Sequence, residues 1–413
     1  MTEPKVRFKR DDGSNYPEWI TGKLGDITDK VDRKAPAGSV APIMMVSQGN
    51  GFIYQADKYS RENAGQSLKN YTLLQQGEFA YNHGASKAKP YGVTYCLKEE
   101  REARVPFVYH TFRIIKGINS YWHEALNISK MDRKLKRMVS SGARMDGLLN
   151  INYDTYMDVD ISIPCEEEQQ KIADFLSSVD EVIAASEQEV TNLETQKKAV
   201  MKKVFSQEVR FKREDGTDFP EWEEKKLGDI IANITSVKRI HAEDWRDSGV
   251  PFYRAREIVA LFNKEPISPL FIDEELYEEF SAISGKIKEG DLLVTGVGTI
   301  GIPYLVKKED RFYFKDGNII WIQNNGNISG KYLYMLYGTP YMTSQLINMS
   351  GKGTVHTYTI ENAKRTVVPF PCLEEQHLIA DFLSDFDDAI AAAKKELELW
   401  KEMKKGLLQQ MFV

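Results

Sequence analysis

Shifting the 413-residue sequence by 203 positions lays VRFKRDDGSNYPEWITGKLGDI (6–27) on VRFKREDGTDFPEWEEKKLGDI (209–230), with 15 of 22 positions identical. A shift of 207 does the same for PCEEEQQKIADFLSSVDEVIAA (164–185) and PCLEEQHLIADFLSDFDDAIAA (371–392), again with 15 of 22 identical. Matches of that length are not chance, and an internal repeat decides the fold before any local pattern does. Between each pair lies a block of about 140 residues with little similarity to its counterpart. The chain is a tandem duplication of lead-in phrase, variable block and helix. Its length also exceeds what one ordinary core supports.

The second matched segment opens a long helix. Alternating steps of four and three from Ile172 reach Leu176, Val179, Ile183, Ser186, Val190, Leu193, Lys197, Val200 and Val204. The same walk from Ile379 reaches Leu383, Phe386, Ile390, Ala393, Leu397, Trp400, Lys404, Leu407 and Met411. Apolar residues recurring every 3.5 positions are the mark of a coiled coil. Pro164 and Pro371 precede the two runs, as helix starts favour. Each helix is acidic at its start and basic at its end, which suits the macrodipole. Antiparallel pairing then sets each acidic end beside the other's basic end. The joined halves are expected to have pseudo-twofold symmetry.

Charge first argues against a nucleic-acid partner, because the chain carries a net −6. Yet residues 166–205 and 373–412 each hold nine acidic and five basic residues, so the helices account for −8 and the remainder stands near +2. A basic face elsewhere is therefore compatible with the composition. Three cysteines, six scattered histidines, a start without an apolar signal core and no long apolar run point to a cytoplasmic protein.

No motif for chemistry survives its context. GVGTIG (296–301) fits the dinucleotide fingerprint, but IPYLV follows, so a strand–turn–strand is expected rather than a phosphate-binding helix start. GKGTVHT (351–357) lacks P-loop spacing, and no His or Cys cluster has metal-ligand spacing. Cys165 and Cys372 read as small buried residues at helix starts. Neither a nucleophile elbow nor an aminomethyltransferase signature occurs. The chain reads as non-catalytic, with no metal site and no cofactor of its own.

What remains is a set of glycine-rich polar loops carrying cations. Such loops bring backbone, Arg, Lys, Asn, Ser and Thr close to phosphates and base edges. In the first block the candidates are Asn82, His83, Ser86, Lys87, Lys89 and Tyr91, then Arg133, Arg137, Ser141 and Arg144. In the second they are Arg254, Arg256, Thr295, Thr299, Lys352, Thr354, His356 and Thr357. If residues 130–138 are helical, Lys130, Arg133, Lys134 and Arg137 share one face.

The doubled RFKR-D/E-DG…PEW…KLGDI phrase and the doubled P-C-x-E-E-Q…IADFLS helix start resemble the specificity subunit of Type I restriction–modification systems along the whole chain. GEFAYNHGASKAKPYG (77–92) and GDLLVTGVGTIG (290–301) are similar to segments of that family's target-recognition domains. The resemblance implies an α+β fold: two globular target-recognition domains in tandem, separated and joined by two long antiparallel coiled-coil helices. The corresponding boundaries are residues 1–163 and 207–370 for the lead-in segments with their recognition domains, and 164–206 and 371–413 for the helices.

It also implies partners: double-stranded DNA with a bipartite target, two methyltransferase subunits, and restriction/motor subunits. S-adenosylmethionine, ATP and Mg would belong to those partners. Ile172, Leu176, Val179, Ile183, Val190, Leu193, Ile379, Leu383, Phe386, Ile390, Leu397 and Trp400 would pair the helices and dock the methyltransferases. The lead-in phrase at the amino end is expected beside the end of the second helix. Phe8, Pro17 and Trp19 are expected to pack there, with the charges between them solvated. The competing readings are a coiled-coil scaffold carrying two ligand-binding domains without nucleic acid, and a self-contained nuclease or methyltransferase.

Overall fold

The computed structural model describes residues 3–36, 38–58, 65–84, 89–139, 151–350 and 357–413. It forms two compact units, Met1–Glu187 with Lys395–Val413, and Gln188–Lys394. The helices Glu166–Phe205 and Leu373–Met411 each contribute to both, so each unit holds the start of one long helix and the end of the other. Every position of the 3.5-residue walk is buried or half-buried in both helices. Ile172, Leu176, Val179, Val190, Ile379, Leu383, Ile390 and Leu397 are buried, while Ile183, Leu193, Phe386 and Trp400 are half-buried. Ion pairs give the direction. In the first unit Lys401 meets Glu187 at 2.9 Å and Lys404 meets Asp180 at 2.8 Å. In the second, Lys197 meets Asp387 and Lys394 meets Glu194, both at 2.6 Å. The pairing within each unit is antiparallel.

The duplicated phrases build the same joint in both units. Asp12 Oδ1 accepts the Ser14 N–H, and Asp215 Oδ1 that of Thr217, closing matching turns in which Lys9 bridges Asn15 and Lys212 bridges Asp218. The strands Ile20–Lys23 and Glu223–Lys226 then pair antiparallel with Asp160–Ile163 and Val367–Phe370, the strands that lead into the long helices. Glu168 is fully buried one turn into its helix, where it accepts Arg7 Nε at 3.0 Å, Arg7 Nη2 at 2.9 Å and Trp19 Nε1 at 2.9 Å. Fully buried Glu375 does the same with Arg210, at 3.3 and 3.0 Å, and with Trp222 at 2.9 Å. Phe8 and Phe211 meet Phe175 and Phe382 edge-on, each at 5.4 Å.

The packing expected of the lead-in phrase needs correction. Pro17 is exposed and Tyr16 fills the inward position, because the turn points the proline carbonyl at Arg7 Nη2. The charges are not simply solvated either, since Arg10 pairs with Glu167 and Lys171 with Asp11. Cys165 and Cys372 are half-buried rather than buried, at the residue preceding each helix, where their carbonyls accept the first helical N–H bonds. The amino-terminal segment does lie against the end of the second long helix: the N–H groups of Lys5 and Val6 both donate to Gln410 O.

The unlike blocks share a topology that their sequences hide. The first contains a four-stranded antiparallel sheet in the order Thr28–Lys30, His110–Ile114, Phe79–Asn82, Val93–Cys96. The second repeats it as Ile234–Thr235, Ile319–Ile322, Leu292–Thr295, Pro303–Leu305. Three helices follow each sheet: Asn119–Ala125, Ser129–Met138 and Tyr153–Met157, against Gly330–Tyr337, Pro340–Met349 and Ile360–Arg365. Gln169 and Gln376, next to the buried glutamates, accept the N-cap N–H of the first of these helices, from Ile118 and Ser329, at 2.9 and 2.8 Å. The blocks differ beyond this frame. The first adds the hairpin Met44–Ser47 with Gly51–Tyr54, whereas the second adds a three-stranded sheet with the helices Ala255–Phe262 and Glu274–Ser284.

Two predictions follow from this packing. Removing one partner of a buried ion pair typically costs about 3–5 kcal/mol, because the other charge is left uncompensated. Glu168→Ala should therefore destabilise the first unit by about that amount in urea unfolding, and Glu375→Ala the second; a loss under about 1 kcal/mol would show that the pair is dispensable. The second concerns His123, whose Nδ1 accepts the Cys96 N–H at 3.3 Å. Burial, helped by the charges of Lys98 and Lys404, holds its pKa at about 3. The unfolded chain binds this proton near pH 6.5, so stability present above that pH should fall on acidification at about 1.4 kcal/mol per pH unit. His123→Asn, which keeps an acceptor, should flatten the slope for the first unit between pH 6 and 4; an unchanged slope would refute this.

Candidate functional site

Both glycine-rich segments after the Gly–acidic pair are hairpin loops at the same place in the two sheets. Gly77 and Gly290 take φ of +88° and +85°, a conformation that favours glycine. The next residue closes the turn through its carboxylate: Gln75 N–H donates to Glu78 at 2.7 Å, and Lys288 N–H to Asp291 at 2.9 Å. The carbonyls of Glu78 and Asp291 then accept the N–H of Leu97 and Val306, fixing the returning strands. Residues 83–92 and 296–302 are the connections so presented. The second and third helices of each block are likewise joined by the other candidate segments, at 139–152 and 350–359.

In the second unit these two segments touch. Tyr358 N–H donates to Gly296 O at 2.8 Å, and Val297 forms a bridge with Thr357. A Cβ on Gly296 would lie 2.6 Å from Tyr358 O, so only glycine permits the approach. The helix Ala255–Phe262, which follows Arg254, packs against both strands of this hairpin. GVGTIG is accordingly a strand–turn–strand.

In the first unit the feet of the corresponding segments are joined through rings. His83 stacks on His110 at 4.8 Å, and His110 Nε2 lies 2.8 Å from Ile151 O, at the foot of the second segment. Tyr81 stacks on Tyr156 at 4.0 Å, and the Tyr156 hydroxyl meets Thr94 Oγ1 at 2.6 Å. Burial, with the neighbouring His83 and Lys30 charges, lowers the His110 pKa. The stacked rings are therefore a packed support, with His110 held toward its neutral form.

Several candidate side chains build this scaffold. Thr295 is fully buried; its hydroxyl donates to Thr299 O and accepts the Ile302 N–H, so it shapes the loop and is not a contact residue. Asn82 donates to Val46 O and accepts the Gly84 N–H. His83 is buried with Nε2 beside Val108 O, and Tyr91 O accepts the Tyr81 hydroxyl. Arg254 and Arg256 both bond Glu257, whose burial alone would raise its pKa; the two arginines outweigh that and hold it low. Arg254 is partly buried and Arg256 exposed.

Others lie at or near the surface. Arg133, Arg137 and Thr299 are exposed, Thr357 is half-buried, and Lys89 reaches Asn127 O at 3.0 Å. Residues 130–138 are helical, but Lys130 and Lys134 turn to the carbonyls of Phe412 and Val413, so the basic face is divided. Ser86, Lys87, Ser141, Arg144, Lys352, Thr354 and His356 lie outside the described residues. Sequence reasoning missed Gln48, whose amide donates to Gly84 O at the foot of the first hairpin loop; no local motif marks it. Among the described residues no group of three or more His, Cys, Asp or Glu could hold a metal ion, and no helix is long and apolar enough to cross a membrane.

Comparison with known proteins bears on the same features. Residues 220–399 match the family profile described as a Type I restriction modification DNA specificity domain. A putative type I restriction enzyme specificity subunit of Haemophilus influenzae is 30% identical over 191 residues, 43% of this chain and 46% of that protein. The chain thus matches less than half the length of that relative. The Type I restriction enzyme MjaVIII specificity subunit of Methanocaldococcus jannaschii is 26% identical over an alignment covering 97% of this chain and 94% of its own. The fold is shared with a chain from a type I R-M system (TM-score 0.59, 14% identity), covering 96% of this chain and 98% of the other. It is shared also with the Type-I restriction-modification system S subunit from M. genitalium (TM-score 0.54, 15% identity), over 100% and 99%. Residues 220–399 thus carry a match to the Type I restriction modification DNA specificity domain, and nearly the whole chain is similar to the Methanocaldococcus specificity subunit.

Proposed function

We propose that the chain is the sequence-reading subunit of a Type I restriction–modification complex, in which each unit reads one half of an asymmetric bipartite DNA target. One observation carries the reading: a single frame occurs twice, and it presents unlike loops at the same two places. Equal loops would read equal half-sites, whereas unlike loops read a split, asymmetric site. The long helices set the gap between half-sites and give two methyltransferase subunits their docking surface. Phe175, Val182, Phe382 and Leu399 are large apolar side chains left exposed on those helices, as a docking face requires. In this reading the chain is itself non-catalytic and cytoplasmic. The methyltransferase subunits bring S-adenosylmethionine, and the restriction/motor subunits bring ATP and Mg.

Mapping methylated adenines in cells that carry the complex tests both halves of the proposal. Replacing residues 223–370 with the block of another specificity subunit should change one half-site and leave the other and the gap intact. Changes in both half-sites would overturn the modular assignment. Inserting one heptad into each long helix, after Val190 and after Leu397, should lengthen the gap without altering either half. An unchanged gap would show that the helices do not act as a spacer.

A further inference from the structure

The helix Ser129–Met138 carries five cations and one carboxylate, while its topological counterpart Pro340–Met349 carries no charged residue. The same element is built both ways in one chain, so the fold does not require charge there. Among the described residues little of this charge is neutralised. Arg133 and Arg137 are exposed and make no ion pair with any described residue. The ammonium group of Lys130 meets the Phe412 carbonyl, and that of Lys134 an oxygen of Val413, with the Asp160 charge near enough to act on it. Burial lowers the pKa of both lysines, and the nearby charges of Arg133 and Lys5 lower that of Lys130 further.

These four cations and Lys5 line an open groove beside Gln409 and Gln410 at the end of the second long helix. Its carboxylates are Glu3, which Arg7 occupies at 3.1 Å, and Asp132. A second groove shares Ser129, Asp132 and Gln409 with the first and runs past Lys405 to Lys89, at the foot of the hairpin loop. Lys404 in this second groove is compensated by Asp180 and Glu124. The result is a band of positive charge on an acidic chain, leading to the candidate reading loop of the first unit; Lys401 and Lys404 in it are ion-paired, whereas Arg133, Arg137 and Lys5 form no ion pair with any described residue. A band of that kind fits a polyanion whose charges repeat along a line, as duplex phosphates do.

We propose that this band is a phosphate-backbone site that holds the duplex beside the half-site read by the first unit, without a counterpart in the second. It rests on the DNA-recognition reading above and adds to it a division of labour: the loops select bases, and Arg133, Arg137 and Lys5 supply sequence-independent grip.

The test uses the purified full-length chain, a duplex bearing its methylated motif and a scrambled duplex. Arg133 and Arg137 are exposed, so R133A/R137A should fold with an unchanged Tm. It should weaken both duplexes by the same factor, about tenfold or more near 0.1 M salt, and lower the slope of log K against log salt by about 2. R133K/R137K should restore the slope. Phosphate-ethylation interference should show extra contacts flanking one half-site only. An unaltered slope, a loss confined to the motif duplex, or equal contacts at both half-sites would overturn the proposal. So would weakened capture of methyltransferase subunits with duplex binding intact, which would assign the band to an acidic protein surface. If the wild-type chain binds neither duplex in a salt-dependent way, it is the DNA-recognition reading itself that fails.

Discussion

Everything else in this fold is hung on two buried carboxylates. Glu168 and Glu375 have no access to water, and taking a carboxylate out of water costs several kcal/mol unless its lone pairs are met. Each is met by a two-pronged arginine and a tryptophan N–H from the duplicated lead-in phrase, some 150 or more positions away in sequence. An apolar contact would tolerate sliding, whereas this arrangement has one geometry in which every donor is used. The adjacent glutamines, Gln169 and Gln376, face the other way and seize the first N–H of a helix in the recognition block. Two neighbouring side chains thus fix the lead-in phrase and the block against the long helix at once.

That arrangement explains which parts of the repeat stayed alike. Residues that satisfy the buried carboxylate, Arg7 and Trp19 or Arg210 and Trp222, have no substitute of another chemistry. Part of the contact between block and joint runs through backbone groups: Ile118 and Ser329 offer an N–H that any residue but proline has, and the N–H groups of Leu24 and Leu227 donate to the carbonyls of Val159 and Thr366. Backbone recognition leaves the side chains free to diverge.

The same distinction decides what the sequence could reveal. The 3.5-residue walk and the acidic starts and basic ends of the helices were legible, because each depends on regular spacing of residue types. The shared sheet was not. Its order is specified by a positive-φ glycine followed by a carboxylate, with the strands around it spelled in unlike apolar residues, FAYN against LLVT. Nor could sequence separate structural from available charges. Arg254 and Arg133 look equivalent as letters, yet one is spent on Glu257 and the other faces solvent. Pairing is decided by contacts that only the fold creates.

Duplication also supplies a control within one molecule. Where both units spend the same residue on the same bond, as with Arg7 and Arg210, the fold demands it. Where one unit builds an element with charge and the other builds it without, as in the second helix of each block, the fold does not demand the charge. By that test the stacked histidines of the first unit are scaffold of one particular block: they tie the feet of its loops together, a task the second unit performs with the backbone bond from Tyr358 to Gly296. Two unlike solutions to one geometric demand locate the demand itself. Each block must hold its hairpin loop against the segment between its second and third helices.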